Sequence, residues 1–153
     1  MSSLERRIPP PVVTLLAVAL AWLLARLAPG LAYPLPARVP IAILLVLAGV
    51  GLAWSGLRTF RKARTTPDPR TPEKSTSVVQ GGPYRFTRNP MYLGLAIALL
   101  GVCAYLANPL ALVAVIVFIA YITRWQIIPE ERALAAKFGE TYANYRRSVR
   151  RWL

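Results

Sequence analysis

Four stretches of the chain are almost free of polar residues: about 10–28, 39–57, 91–107 and 109–128. Each is roughly 17 to 20 residues long, which at about 1.5 Å per residue matches the hydrocarbon thickness of a bilayer. Apolar positions run on without alternating, a pattern that predicts helices and not barrel strands. The first run follows Arg6 and Arg7 as a signal-peptide core would. It is longer than such a core and no convincing cleavage site follows it, so it predicts a retained helix. Only Asn108-Pro109 separates the third and fourth runs, which makes them an antiparallel hairpin. "APGLAYPLPAR" links the first two. Between the second and third, Pro67, Pro69 and Pro72 remove helical options ahead of "STSVVQGG", so this segment reads as extended. Beyond the fourth run Pro129 suits a helix N1 position, with Glu130 and Glu131 in the first turn. Leu134, Phe138, Tyr142, Tyr145 and Val149 then share one side, opposite Arg and Lys. That predicts an interfacial amphipathic helix ending at Trp152. The expected fold is all-α: one membrane domain over 1–153, with four transmembrane helices, a cytoplasmic loop and this C-terminal helix.

Composition agrees, since 153 residues suit one domain and 56% of them are hydrophobic. Charge needs more care. The net charge of +13 fits either a nucleic-acid binder or a membrane protein with basic cytoplasmic loops. Placement decides. Of the 19 Lys and Arg, all but Arg26 and Arg38 lie in the first nine residues, between Arg58 and Arg88, or from Arg124 onward. The positive-inside rule puts both termini and the 58–88 loop in the cytoplasm, and residues 28–38 and Asn108 on the other side. A nucleic-acid partner gives no reason to divide charge in this way. One Cys and no His exclude a disulfide framework, a Cys/His zinc site and a His-dependent catalytic pair. No metal is expected, and any chemistry must use Glu, Tyr, Arg, Asn, Gln or a bound cofactor. Absence of a targeting signal makes a bacterial or archaeal inner membrane the simplest location.

The chemistry-bearing residues concentrate in "GPYRFTRNPMYLG", residues 82–94, where the loop meets the third run. Near-equal helix lengths bring Arg88 to Tyr92 to the same depth as Gln126 to Glu131. This motif, "STSVVQGG", the Asn-Pro turn and "EERALAAKFGETYANYRRSVRRW" together resemble the isoprenylcysteine carboxyl methyltransferase family and its relatives, the phospholipid methyltransferases, over about residues 70–152. The resemblance implies an integral membrane enzyme that uses S-adenosylmethionine without a Rossmann domain. It further implies that Thr76, Ser77, Val78 and Val79 line the cofactor through their backbone. Tyr84, Asn89, Pro90, Met91 and Tyr92 would form its pocket, and Glu130 would bind it by the carboxylate. A sulfonium favours aromatic faces, and a carboxylate accepts from hydroxyls or an ammonium. Where the eukaryotic enzymes carry His this chain has Asn89, which cannot titrate near neutrality.

Methyl transfer needs alignment and exclusion of water more than acid-base groups. If the acceptor is an amine, Glu131 is the nearby candidate base, with Arg88 beside it as the second candidate catalytic residue. Around "RWQIIPEE" the prenylcysteine enzymes carry a substrate-contacting Arg where Gln126 stands here. A neutral amide cannot clamp a carboxylate as Arg does, so another lipophile, such as a phospholipid amine, is the expected acceptor. Arg124 points some 200° around a regular helix from Gln126, and unwinding near Pro129 would bring it to the substrate. Plainer readings stand beside these. Tyr84 and Tyr92 suit an aromatic belt, Arg85 and Arg88 positive-inside charges, Glu130 and Glu131 a helix dipole, and Met91 packing. At the level of the whole protein, a nicotinamide-dependent membrane reductase of related fold is one alternative. A non-enzymatic membrane protein binding anionic lipid is another.

Overall fold

A computed structural model describes residues 8–63 and 76–153. The proline-rich part of the predicted loop and the Arg6-Arg7 pair lie outside the described residues. Within them the chain is helical with no strand. Helices α1 (Pro10–Leu27), α2 (Arg38–Lys62), α3 (Pro90–Leu106), α4 (Leu112–Ile122) and α5 (Ile128–Ser148) follow in order. Three stretches are long and apolar enough to cross a membrane: Pro10–Leu27, Arg38–Lys62 and the continuous run Pro109–Ser148. Pro90–Leu106 is a shorter apolar helix. Helix α2 outlasts its apolar run because nothing between Leu57 and Lys62 breaks a helix.

The tightest packing is between α2 and α3. Ala42, Gly49 and Gly56 are the buried residues of α2, seven apart, and Gly94 and Gly101 face them from α3. A Cβ on Gly49 would lie 2.4 Å from the Gly94 carbonyl oxygen, and one on Gly94 equally close to that of Gly49. The two backbones touch, as membrane helices do where small residues recur. Helix α1 crosses the α3/α4 hairpin through Val13, Ala17 and Ala21, which join Tyr92, Leu99 and Phe118 in the main core. Leu15, Leu44, Leu47 and Ile116 are each more than 60% exposed. Outward aliphatic faces of this extent suit lipid as the surrounding solvent. Together with the long apolar helices they point to an integral membrane protein.

The hairpin turn is closed by Asn108. Its Oδ1 accepts from Leu110 N at 3.0 Å, and its Nδ2 donates to the Ala28 carbonyl at 2.8 Å, tying the turn to the end of α1. Ala107 takes a left-handed conformation (φ 46°) to make the reversal.

As expected, α5 carries Pro129 in its first turn with Glu130 and Glu131, but no break separates it from α4. The helix runs through a π turn, Thr123–Ile127, into α5. Pro129 has no N–H for the Trp125 carbonyl and its ring crowds that oxygen, so the chain widens by a residue there. Helix α5 is bent at Gly139 (φ 48°, ψ −124°) and stops at Ser148. Val149 is extended, so Trp152 does not end a helix. It packs against the main core and donates to Thr123 Oγ1 at 3.2 Å. The α5 apolar stripe packs inward, with Leu134, Phe138, Tyr142, Tyr145 and Val149 joining Phe60, Val78, Val79 and Tyr84.

Candidate functional site

At the Asn89 end of the hairpin, four segments meet. The run Thr87–Asn89 binds the C-terminal tail through its backbone. Arg88 N donates to the Arg150 carbonyl at 2.9 Å, Asn89 Nδ2 to that of Arg151 at 2.9 Å, and Thr87 Oγ1 to Arg151 as well, at 3.2 Å. A guanidinium nitrogen of Arg88 reaches the Val149 carbonyl at 2.5 Å. The extended tail has no ladder of its own, so these side chains satisfy its carbonyls.

Glu131 sits between two cations. Arg88 donates to its Oε1 at 2.7 Å and Arg151 to its Oε2 at 2.7 Å, with the carboxylate only 8% exposed. Burial pushes this carboxyl up, but the hydrogen bonds and charges of Arg151 and Arg88 outweigh it and hold it below the usual carboxylate range. A carboxylate paired twice and held ionised is a weak proton acceptor. In this geometry Glu131 fixes Arg88 and the tail, a different task from the general base suggested by its position in the sequence. Nor does it complement a free helix end, because the π turn continues into α5 without one.

Glu130 turns the other way. Its Oε2 accepts from the Tyr92 hydroxyl at 3.2 Å, and it faces a crevice lined also by Phe60, Val79, Tyr84, Asn89 and Tyr142. The crevice holds about 610 Å³ between its walls, open solvent included, of which about 50 Å³ admits the centre of a water molecule. Tyr84 is fixed on three sides. It lies edge-on to Phe60 with ring centroids 5.3 Å apart, its carbonyl accepts from the Tyr145 hydroxyl at 2.8 Å, and it is buried. Burial, then the Glu130 charge, pushes its phenol well above the usual range, so it stays protonated. Gly82, at φ 57°, sets the turn into this segment against Thr59.

Of the residues expected from sequence, Ser77, Val78, Val79, Tyr84, Arg88, Asn89, Met91, Tyr92, Glu130 and Glu131 line the crevice together. Thr76 is exposed beside it, and Pro90 is buried at the start of α3 behind it. Gln126 is fully buried and faces elsewhere, its Nε2 donating to the Ile8 carbonyl at 2.7 Å. The chain does unwind near Pro129, but Arg124 stays exposed, its guanidinium over the Trp125 ring at 5.8 Å. Sequence reasoning missed Arg151, Thr87 and Phe60. Thr87 stood inside the quoted motif. Arg151 carried no signal, being one of several arginines in a basic tail.

A family model described as phospholipid methyltransferase matches residues 37–141, from the start of α2 into α5. The chain belongs to the phospholipid methyltransferase family. This membership points to a membrane methyltransferase. The matched stretch contains α2, the hairpin and both glutamates, whereas Tyr142, Tyr145 and Arg151 lie beyond it. The chain is also 48% identical over 63 residues to an uncharacterised protein of Haemophilus influenzae, a match covering 41% of this chain and 100% of that protein. Among the described residues no group of three or more His, Cys, Asp or Glu can hold a metal ion. The arrangement instead offers one carboxylate, several aromatic faces and a fixed guanidinium at the end of an apolar bundle. Carboxylate and aromatic faces are groups that suit a cationic, hydrogen-bonding ligand.

Proposed function

We propose that this chain is an S-adenosylmethionine-dependent methyltransferase acting on a lipophilic acceptor, such as a phospholipid amine. It would span the bilayer four times, with both termini and the 58–88 loop in the cytoplasm. The observation that carries the reading is the Glu130 carboxylate opposite the rings of Tyr84, Phe60 and Tyr142 in a crevice at one end of a membrane bundle. When bound, S-adenosylmethionine supplies an electrophilic methyl group on a sulfonium.

The residues fit that group. Aromatic faces stabilise a sulfonium cation, and Glu130, oriented by Tyr92, accepts from hydroxyl or ammonium donors. Ser77 to Val79, Asn89 and Met91 are among the lining residues. Arg88 is locked by Glu131 and the tail, which keeps a positive charge at a fixed place in the crevice lining. Tyr84, Tyr142 and Tyr145 remain neutral donors, since burial raises all three phenols. With Glu131 paired to both Arg88 and Arg151 it is not free to act as a base, and an amine acceptor would react as its free amine.

Calorimetric titration in detergent tests the cofactor. Binding of S-adenosylmethionine and of its demethylated product is expected. Binding of a nicotinamide nucleotide in their place would overturn the reading. A methyl-transfer assay comparing phosphatidylethanolamine with a farnesylated cysteine tests the acceptor, and the amine is expected to be the better substrate.

A further inference from the structure

A second recess lies outside this site, between α1 and α4. It holds about 150 Å³ and is lined by Ile8, Val13, Leu16, Leu20, Val117 and Tyr121, among others. All but Phe118 and Tyr121 are aliphatic, and Tyr121 alone carries a polar group. They run along both helices from the site end of the bundle, at Ile8 and Tyr121, inward to Leu20 and Val117. The Tyr121 hydroxyl is buried and has no hydrogen-bond partner among the described residues. An unpaired buried hydroxyl costs about 1–3 kcal/mol, so a partner is expected there. Directly beyond, the fully buried Gln126 spends its Nε2 on the Ile8 carbonyl while its Oε1 has no partner either. The recess is therefore apolar at depth with a hydroxyl donor at its site end.

We propose that this groove binds one acyl chain of a bilayer phospholipid, with the Tyr121 hydroxyl donating to the ester carbonyl at the head of that chain. The occupant follows from three facts. The groove opens on outward faces of α1 and α4 that expose Leu16 and Ile116, so acyl chains are its immediate solvent. Its polarity gradient matches a phospholipid from tail to glycerol ester. Each CH₂ group buried is worth about 0.8 kcal/mol against water, but nearly nothing against lipid, so selectivity must come from the hydrogen bond. The groove also nears the candidate site, because Ile8, which lines it, accepts from Gln126, the residue before the crevice-lining Ile127. A chain held here leaves its headgroup at the π turn, beside the place of methyl transfer. This headgroup placement rests on the methyltransferase reading, whereas the chain site does not.

The test is photolabelling of the protein in nanodiscs with a phosphatidylethanolamine carrying a diazirine on one acyl chain, mapped by mass spectrometry. Labels on Leu16, Leu20 and Val117 are expected at several times the level on Leu44 and Leu47 of α2, although these two are the more exposed. Val117→Trp, at the groove's edge, should fill it and reduce groove labelling several-fold while sparing α2. Tyr121→Phe should reduce labelling by the phospholipid but not by a diazirine hydrocarbon without an ester. Equal labelling of groove and α2 would overturn the site, and an unchanged Tyr121→Phe would overturn the role of its hydroxyl. S-adenosylmethionine binding measured on the same sample separates the two readings: its loss fells the methyltransferase reading and leaves the labelling result standing.

Discussion

The α3/α4 hairpin begins each of its limbs with the same dipeptide, Asn89-Pro90 at one end and Asn108-Pro109 at the other, and uses them differently. Asn108 caps its own turn and ties down α1, so its side chain is consumed by neighbouring backbone. Asn89 makes no cap. Its side chain reaches across to the tail at Arg151, and one face stays on the crevice. One end is thus sealed, and the other is held open by a network built around Glu131. An Asn-Pro pair starts a helix in both places, and what lies across from it decides whether it is an ending or a site.

Removing Glu131 should break this contrast most severely. Glu131→Ala leaves Arg88 buried without a counter-charge, at a cost of about 3–5 kcal/mol. Thermal unfolding in detergent should show a large loss, with methyl transfer abolished; a stable, active variant would refute the network. The same pair predicts an acid limb. Because the folded-state pKa of Glu131 lies below its ordinary 4.5, its stabilisation is complete above that value and is lost as pH falls through the lower folded one. Glu131→Gln should flatten stability against pH in that window.

Glu130→Gln comes next and sharpens the comparison, since it should separate binding from folding. Loss of a charge-assisted hydrogen bond is worth roughly 1.5–3 kcal/mol, about ten- to a hundredfold in S-adenosylmethionine affinity. The unfolding midpoint should stay close to wild type. If affinity is unchanged, Glu130 is not a cofactor ligand.

At the sealed end the pattern should invert. Asn108→Ala removes a cap and a tie to α1, costing about 0.5–2 kcal/mol of stability, with cofactor affinity unaltered. A shift in affinity from this variant would mean that the two ends are coupled. The smallest effect is a gain. Ala107 holds a left-handed φ that disfavours a Cβ, so Ala107→Gly should raise stability by no more than about 1 kcal/mol, read from the same melting curves.

Periodicity and charge made the apolar helices and the hairpin legible in sequence, because continuous apolar runs and a lone Asn-Pro admit little else. The meeting of the Arg88–Tyr92 segment with Gln126–Glu131 followed from equal lengths of the hairpin limbs. Side-chain direction did not. Glu130 and Glu131 are adjacent and identical in type, and only their neighbours distinguish a crevice-facing carboxylate from a buried counter-ion. Arg151 was invisible because pairing across twenty residues and a kink at Gly139 leaves no local pattern. Gln126 sat beside the right segment and faces α1 instead, since the π turn changes which way residues point.

That extra residue in the π turn acts as a phase setting. Each residue of a regular helix advances the side chains by about 100°. Deleting one position between Thr123 and Ile127 would remove the widened turn and leave Pro129 as the one gap in an otherwise regular α-helix. It would also rotate everything downstream by nearly a third of a circle against α3. Glu131 would swing off Arg88, and Glu130 would leave the crevice. The more perfect helix would be the one whose two halves are out of step.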